Sequence, residues 1–316
     1  MNSGLFEIKE HIVFKSRKPK GILCPGTIFS FTNKQLLIHG KKFDAIINKP
    51  YTSEDIWLGL EKTSSILKGN SHQCEMVNSW LNSPAYSRTV SYLTILFNNC
   101  NDLIRAFESF RSSHIVIFGC GGIGSLTAVS LAGMGIGKIT LLDGDFIEKS
   151  NLNRQLFFTK RDIGKSKVEV LKREILKRFE NVTVKIIKEF TSEEIINTHL
   201  QKCTVALVTA DDPMNLYYTA IAYAKKRKIP LLSCGYFMDR ARITILGSKN
   251  TIKENQTYFK LPNAIAPSYG PTNMELAGLV SSLLLQVISK NINTSDQIFL
   301  NWSTTEFPRK TIQVWK

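Results

Sequence analysis

The chain has 316 residues, of which 43% are apolar and 21% charged, enough for a sizeable core in one large or two ordinary domains and incompatible with wholesale disorder. Its formal net charge is +15, a field that favours anionic partners such as nucleotide phosphates, acidic peptide or nucleic acid, with solubility alone as the plain alternative. Gly278, Ser281, Ser282 and Gln286 interrupt the most apolar long stretch, Leu276 to Ile288, and Glu7 and Glu10 interrupt the N-terminus; neither a membrane span nor a signal peptide is expected, and the chain reads as soluble and cytoplasmic.

Six cysteines stand at 24, 74, 100, 120, 203 and 234, the nearest two 20 residues apart. That spacing excludes a C-x-x-C zinc clip or redox pair, and five scattered histidines offer no paired ligand spacing, so no structural zinc is expected. No aromatic-interleaved RNA motif or helix-turn-helix signature strengthens the nucleic-acid option.

Residues 1–110 carry a net charge of +4 and mix short strands with amphipathic helices. Glu7–Lys15, Thr27–Phe31 and Gln35–Phe43 suit strands, with turn material at Pro19–Gly21, Pro25–Gly26 and Gly40. Thr52-Ser-Glu-Asp55 reads as a capping box, and Ile56, Leu60, Thr63 and Leu67 follow helical spacing. Further helices are expected near Glu75–Leu81 and Ser91–Phe107. Strands followed by helices predict a small winged-helix-like domain, either a peptide binder working by strand addition or a plain structural unit.

Residues 111–316, at +11, alternate strand and helix. Strands are expected at His114–Phe118, Lys138–Leu142, Val182–Ile187, Val205–Thr209, Pro230–Ser233 and Ala241–Leu246. Helices are expected at Ile123–Met134, Ser166–Phe179, after a capping box at Thr191–Glu194, at Pro213–Lys226 and at Glu275–Ile288. This series predicts an α/β fold with a Rossmann-like, mostly parallel, doubly wound sheet. Lys249–Tyr269 reads as a long functional loop over the top of the sheet, and the tail as two short strand-like runs.

The first strand runs into Phe118-Gly119-Cys120-Gly121-Gly122-Ile123-Gly124-Ser125, in which Gly119, Gly121 and Gly124 fit G-x-G-x-x-G. Such a turn brings backbone N–H groups to phosphate at a helix N-terminus. Asp143, 19 residues after Gly124, suits ribose hydroxyls. This much does not separate a dinucleotide from ATP. Asp145, Asn151, Asn153, Arg154 and Gln155 follow, then Lys167 13 residues after Arg154. Two further cations suit a triphosphate better than a pyrophosphate already served by the glycine turn. Asp211 ends the fourth strand, either as a Mg²⁺-binding carboxylate or as a helix cap before Pro213.

These motifs, in order and at these spacings over about residues 113–289, resemble the adenylating superfamily of ThiF, MoeB and the ubiquitin-activating enzymes. The resemblance implies that Asp143 binds ribose, that Asn151, Arg154, Gln155 and Lys167 hold phosphates, and that Asp211 assists Mg²⁺. It implies a homodimer in which Arg88 reaches the partner's site, against the plain reading of Arg88 as a solvated loop residue. Thr209-Ala210-Asp211-Asp212-Pro213, Cys234-Gly235-Tyr236 and Ala266–Pro271 resemble the peptide-modifying branch of the microcin and pantocin maturation enzymes. That branch implies ATP-dependent activation of a carboxyl or carboxamide on a short ribosomal precursor peptide. The missing C-x-x-C pairs depart from most relatives. With no cysteine between Lys249 and Lys290, a thioester relay is not expected. A tRNA-modifying dehydratase, a nicotinamide oxidoreductase and a non-catalytic peptide-binding module stay as alternatives.

Overall fold

The computed structural model describes residues 6–210, 216–246, 267–292 and 298–306. The chain forms two compact units, Met1–Glu108 and Ser109–Lys316.

In the first unit, β1 (Phe6–Lys9), β2 (Ile12–Lys15), β3 (Lys18–Leu23), β4 (Ile28–Phe31), β5 (Gln35–His39) and β6 (Asp44–Asn48) precede α1 (Ser53–Lys62) and β7 (Ile66–Lys68). Helices α2 (Ser71–Leu81), α3 (Ser87–Leu96) and α4 (Cys100–Ser112) follow, α4 carrying the chain into the second unit. The strands make two antiparallel sheets, β1-β2-β3-β7 and β4-β5-β6. Val13, Leu36, Ile38, Trp57, Leu60 and Ile66 pack into one core. The Thr52 side chain accepts from Asp55 N and the Asp55 carboxylate accepts from Thr52 N, the expected reciprocal cap of α1.

Three expectations need correction here. Pro19–Gly21, read as turn material, lies inside β3, where Gly21 pairs with both Val13 and Lys68. Helix α1 ends at Lys62, Ser64 takes φ +57°, and Leu67 lies on β7 instead of a longer helix. The single helix expected over Ser91–Phe107 is two helices. Phe97 is extended, and Asn99 starts α4 afresh by accepting from Asp102 N at 2.8 Å.

The second unit contains β8 (His114–Phe118), α5 (Gly122–Met134), β9 (Lys138–Leu142), α6 (Lys167–Leu176), β10 (Thr183–Ile187), α7 (Glu193–Leu200), β11 (Val205–Val208), α8 (Leu216–Arg227), β12 (Leu231–Phe237), β13 (Arg240–Leu246), α9 (Gly270–Ile288) and β14 (Ile298–Ser303). The sheet order is β10-β9-β8-β11-β12-β13-β14. The first five strands are parallel, while β13 and β14 are antiparallel. Central strands such as β8, His-Ile-Val-Ile-Phe, are apolar on both faces because helices cover both. Helices α7 and α8 bury Ile196, Leu200, Ala220 and Ile221 against Val116, Phe118 and Ala206. Helix α5 packs on α9. Strand order reverses between β8 and β11, which places the crevice for a ligand at their carboxyl ends.

The cap of α7 is Ser192, whose hydroxyl accepts from Ile195 N, and not Thr191 as the pattern suggests. The expected loop at Lys249–Tyr269 falls largely outside the described residues, as do the start of the helix expected at Pro213 and the end of the tail.

On α6, Glu174 takes Arg178, Lys177 and Arg173 as partners at 2.9–3.1 Å. The Arg178 hydrogen bond, opposed by burial and aided by the two other cations, holds its carboxyl at about 2, against an ordinary 4.5. Because the folded value is depressed, this contribution is complete above pH 4.5 and fades as pH falls towards 2. Glu174→Gln should therefore lower stability in urea melts at pH 7 and do so much less at pH 2, where the folded carboxyl is about half protonated.

Candidate functional site

The turn between β8 and α5 is shaped by glycine. Gly119 has φ +93°, and a Cβ there would lie 2.6 Å from Ala210 N. A Cβ on Gly124 would fall 2.0 Å from Gly119 O, so α5 approaches the turn too closely for any side chain. The N-cap of α5 is Gly121, with no side-chain cap. The first N–H groups of the helix are therefore left for another acceptor, where the helix dipole favours an anion.

Around this turn lies a cleft of about 940 Å³, within the range of small-molecule sites. Gly119, Gly121, Gly122, Asp143, Asp145, Asn151, Asn153, Arg154, Gln155 and Lys167 all line it. The sequence distributes these ten residues over nearly fifty positions, and the carboxyl ends of two strands, the loop after β9 and the first turns of α5 and α6 collect them. Gly124 sits behind the turn. Arg88 is exposed in the first turn of α3, in the other unit. Asp211, the expected Mg²⁺ carboxylate, lies outside the described residues.

Asp143 is held at the end of β9. One carboxylate oxygen accepts from Cys120 N at 2.7 Å, the other from Asp145 N at 2.8 Å. Each oxygen keeps a second lone pair for a hydroxyl donor. Lys167 is in the first turn of α6, its side chain only 8% exposed, with Nζ 2.7 Å from Asp145 Oδ2. Arg154 donates through Nη1 to Ser150 O and to Asn153 Oδ1 at 3.0 and 2.9 Å. Asn151 is buried and structural: its Oδ1 accepts from Glu148 N at 3.1 Å and shapes the loop that carries Arg154. Gln155 is buried, and its Oε1 has no hydrogen-bond partner among the described residues. An unpaired buried amide oxygen beside the glycine turn is a polar atom suited to a ligand's donor.

Behind Lys167 a second network fixes the loop. Asp162, buried, accepts from Thr159, Lys165 and Arg173. Burial alone would raise its pKa, but the bonds from Thr159, Arg173 and Lys165 override this and hold the carboxyl far below the usual range.

The residues that sequence reading left out of the site come from distant segments. The hydroxyl of Tyr236, on β12, accepts from Tyr269 N and Asn273 Nδ2, both at 3.1 Å, and meets Ser268 Oγ at 2.9 Å. Asn273 Oδ1 lies against Gly122, where a Cβ would come within 2.4 Å. Asn153 Nδ2 donates to Ser268 O at 3.2 Å. The entry to α9 is thereby tied both to the glycine turn and to the Arg154 loop. The signal was present only as the neighbouring polar letters Cys234-Gly235-Tyr236 and Pro267-Ser268-Tyr269.

No cysteine offers a reactive thiolate here. Burial pushes the Cys120 and Cys234 thiols well up, and Cys203 up to about 12. Among the described residues no group of three or more His, Cys, Asp or Glu side chains is placed to hold a metal ion. The glycine turn, the unpaired Gln155 oxygen and the Lys167 and Arg154 cations fit the polyphosphate and sugar of a nucleotide.

Residues 103–316 match the ThiF family. The chain belongs to the ThiF family. A tRNA threonylcarbamoyladenosine dehydratase from Haemophilus influenzae is 37% identical over 125 residues, 40% of this chain and 48% of that protein. The chain thus spans about half the length of the curated relatives it matches. Among solved structures, Escherichia coli MccB with MccA-N7isoASN aligns with a TM-score of 0.73 at 22% identity, over 94% of this chain and 96% of that one. PaaA aligns with a TM-score of 0.66 at 22% identity, over 92% and 99%. This ThiF-family chain therefore shares the fold of MccB and PaaA along nearly its whole length.

Proposed function

We propose that this chain uses ATP to adenylate a carboxyl or carboxamide on a short ribosomal precursor peptide, leading to ring closure or crosslinking within that peptide. The observation that carries the reading is the cleft itself, where an uncapped helix N-terminus, Lys167 and Arg154 surround one space. Two cations beyond the glycine turn exceed what a dinucleotide's pyrophosphate requires, which favours ATP over a nicotinamide cofactor. The fold shared with MccB, which has been solved with ATP and with N-formylated MccA, supports a peptide as the second substrate.

A carboxylate resists substitution because its leaving group would be oxide. In the proposed step a carboxylate oxygen attacks the α-phosphorus of ATP, the bond to the β-phosphate oxygen breaks, and pyrophosphate leaves with the electron pair. The acyl group then carries AMP as a stabilised leaving group, which a nucleophile of the same peptide displaces. Lys167 and Arg154 offset charge that builds on the phosphates, the α5 N–H groups orient them, and Asp143 holds ribose. Mg²⁺ would supply further charge neutralisation, with Asp211 its assigned carboxylate. The unit Met1–Glu108 recognises the peptide. The working form is a cytoplasmic homodimer, with Arg88 acting in the partner's site.

A second reading, a tRNA-modifying dehydratase of the same family, is favoured by the identity to the Haemophilus protein and by the net charge of +15. The test is ATP–pyrophosphate exchange with a pool of short synthetic peptides and, separately, with bulk tRNA. Exchange stimulated by peptide is expected. Stimulation by tRNA alone, with salt-sensitive tRNA binding, would replace the peptide reading by the dehydratase.

A further inference from the structure

The first unit holds a second pocket, of about 220 Å³, lined by Lys41, Lys42 and Lys68 together with Glu61, Ile66 and Phe97. At roughly seven water volumes it is below the range for drug-sized ligands and admits one side chain, not a nucleotide. Its charge is unbalanced. Glu61, its one carboxylate, is oriented by a partner on each oxygen, Lys68 at 2.9 Å and Trp57 Nε1 at 3.0 Å, and offsets one of the three lysine charges. Lys41 and Lys42 have no carboxylate partner among the described residues. The Lys41 ammonium is pinned inward by the Phe97 carbonyl and by Asn98 Oδ1 at 3.2 Å.

That placement has a cost. Lys41 is half-buried, and its pKa is lowered chiefly by burial; nearby Cys24 works the other way, and the neighbouring Lys42 charge adds a smaller push down. Two adjacent like charges, one partly removed from water, disfavour the empty pocket and are relieved by an anion entering it. The walls select the kind of anion. Ile66 is buried and Phe97 half-buried, so an apolar stem meets apolar surface while its charged end meets the ammonium groups. Lysine ammoniums act as point charges, which suits a single carboxylate on a short chain.

We infer that the pocket of Lys41 and Lys42 takes the side-chain carboxylate of an aspartate or glutamate in the precursor peptide, away from the group that is activated. The inference rests on the peptide reading for its source of carboxylate, while the binding chemistry belongs to the pocket alone. It makes peptide choice depend on a second acidic residue and explains why part of the positive charge lies far along the chain from the phosphate-facing cations.

The experiment uses the full chain. Lysine ammonium signals are followed by NMR while N-acetyl-glutamate amide, N-acetyl-glutamine amide or inorganic phosphate is added. The glutamate probe is expected to shift the Lys41 and Lys42 signals, the glutamine probe to leave them, and the double variant Lys41→Gln, Lys42→Gln to bind the glutamate probe about tenfold or more weakly. Lysine signals unmoved by the glutamate probe, or moved only by phosphate, overturn the assignment. Intact thermal melting of the double variant separates lost binding from lost folding. The two readings fail separately: peptide-independent exchange removes the peptide reading even where the glutamate probe binds. Peptide-stimulated exchange that is equally strong for Glu→Gln peptides removes the pocket's proposed role.

Discussion

Replacing Lys167 by alanine is expected to lower ATP–pyrophosphate exchange by roughly 10²–10³, the usual cost of losing one preorganised group that stabilises transition-state charge. The side chain is 8% exposed, reaches the cleft from the first turn of α6, and spends one of its three donors on Asp145. Water cannot stand in for an ammonium held in so enclosed a place. Stability should change far less, because the partner Asp145 is about half exposed and is resolvated when the lysine goes. Exchange assays at saturating ATP, paired with thermal melts, separate the two effects; unchanged exchange would remove Lys167 from the phosphate site. The same variant reports on Arg88. Mixing Lys167→Ala protomers with Arg88→Ala protomers restores one working site per mixed dimer if Arg88 serves the partner. Two inactive variants that stay inactive when mixed would withdraw that role.

Gly119→Ala is expected to disrupt nucleotide binding where Gly121→Ala does not disrupt folding. At Gly119 the added carbon meets Ala210 N at 2.6 Å and Ala210 Cβ at 2.9 Å, on backbone at φ +93°. The left-handed conformation alone costs about 1–2 kcal/mol for a residue with a Cβ, and the backbone clash adds to it. Relief requires the turn to move, and with it the N–H groups aimed at phosphate. At Gly121, by contrast, a Cβ would meet, among the described residues, only Gln155 Nε2, at 3.7 Å, an ordinary contact. Urea melts and calorimetric ATP titration should show Gly119→Ala less stable and at least tenfold weaker for ATP, with Gly121→Ala folded like the parent. Equal losses in the two variants would contradict the assigned geometry.

The contrast between those glycines shows what the letters alone conveyed. In the motif Gly119-x-Gly121-x-x-Gly124 all three look equivalent. The spacing is legible because a strand-to-helix turn at a phosphate site restricts local backbone, and local constraints are written in local sequence. Which glycine is wedged against Ala210, 91 residues later, depends on β11 lying beside β8.

The first unit was harder to read for a related reason. Strands β3, β6 and β7 are short and carry Lys, Asp or Gly among their apolar residues, so their periodicity is weak. They become strands because neighbours pair with them, and pairing partners are not neighbours in sequence. The break between α3 and α4 had a readable signal, the Asn99-x-x-Asp102 reciprocal cap, which an amphipathic pattern running across it concealed.

By itself, then, the sequence determined the alternation of strand and helix from His114 onward, the glycine turn, and the set of polar residues that meet at it. Each of these rests on short-range chemistry: β-branched runs, backbone freedom, and charges at fixed spacing. Tertiary structure alone decided that β13 and β14 run antiparallel, that Asn151 is a buried scaffold for the Arg154 loop, and that Tyr236, Ser268 and Asn273 lock the entry of α9 to that loop and to the glycine turn. These contacts join residues up to 115 positions apart, and only the closing of the sheet and the packing of α9 on α5 bring them within hydrogen-bonding range.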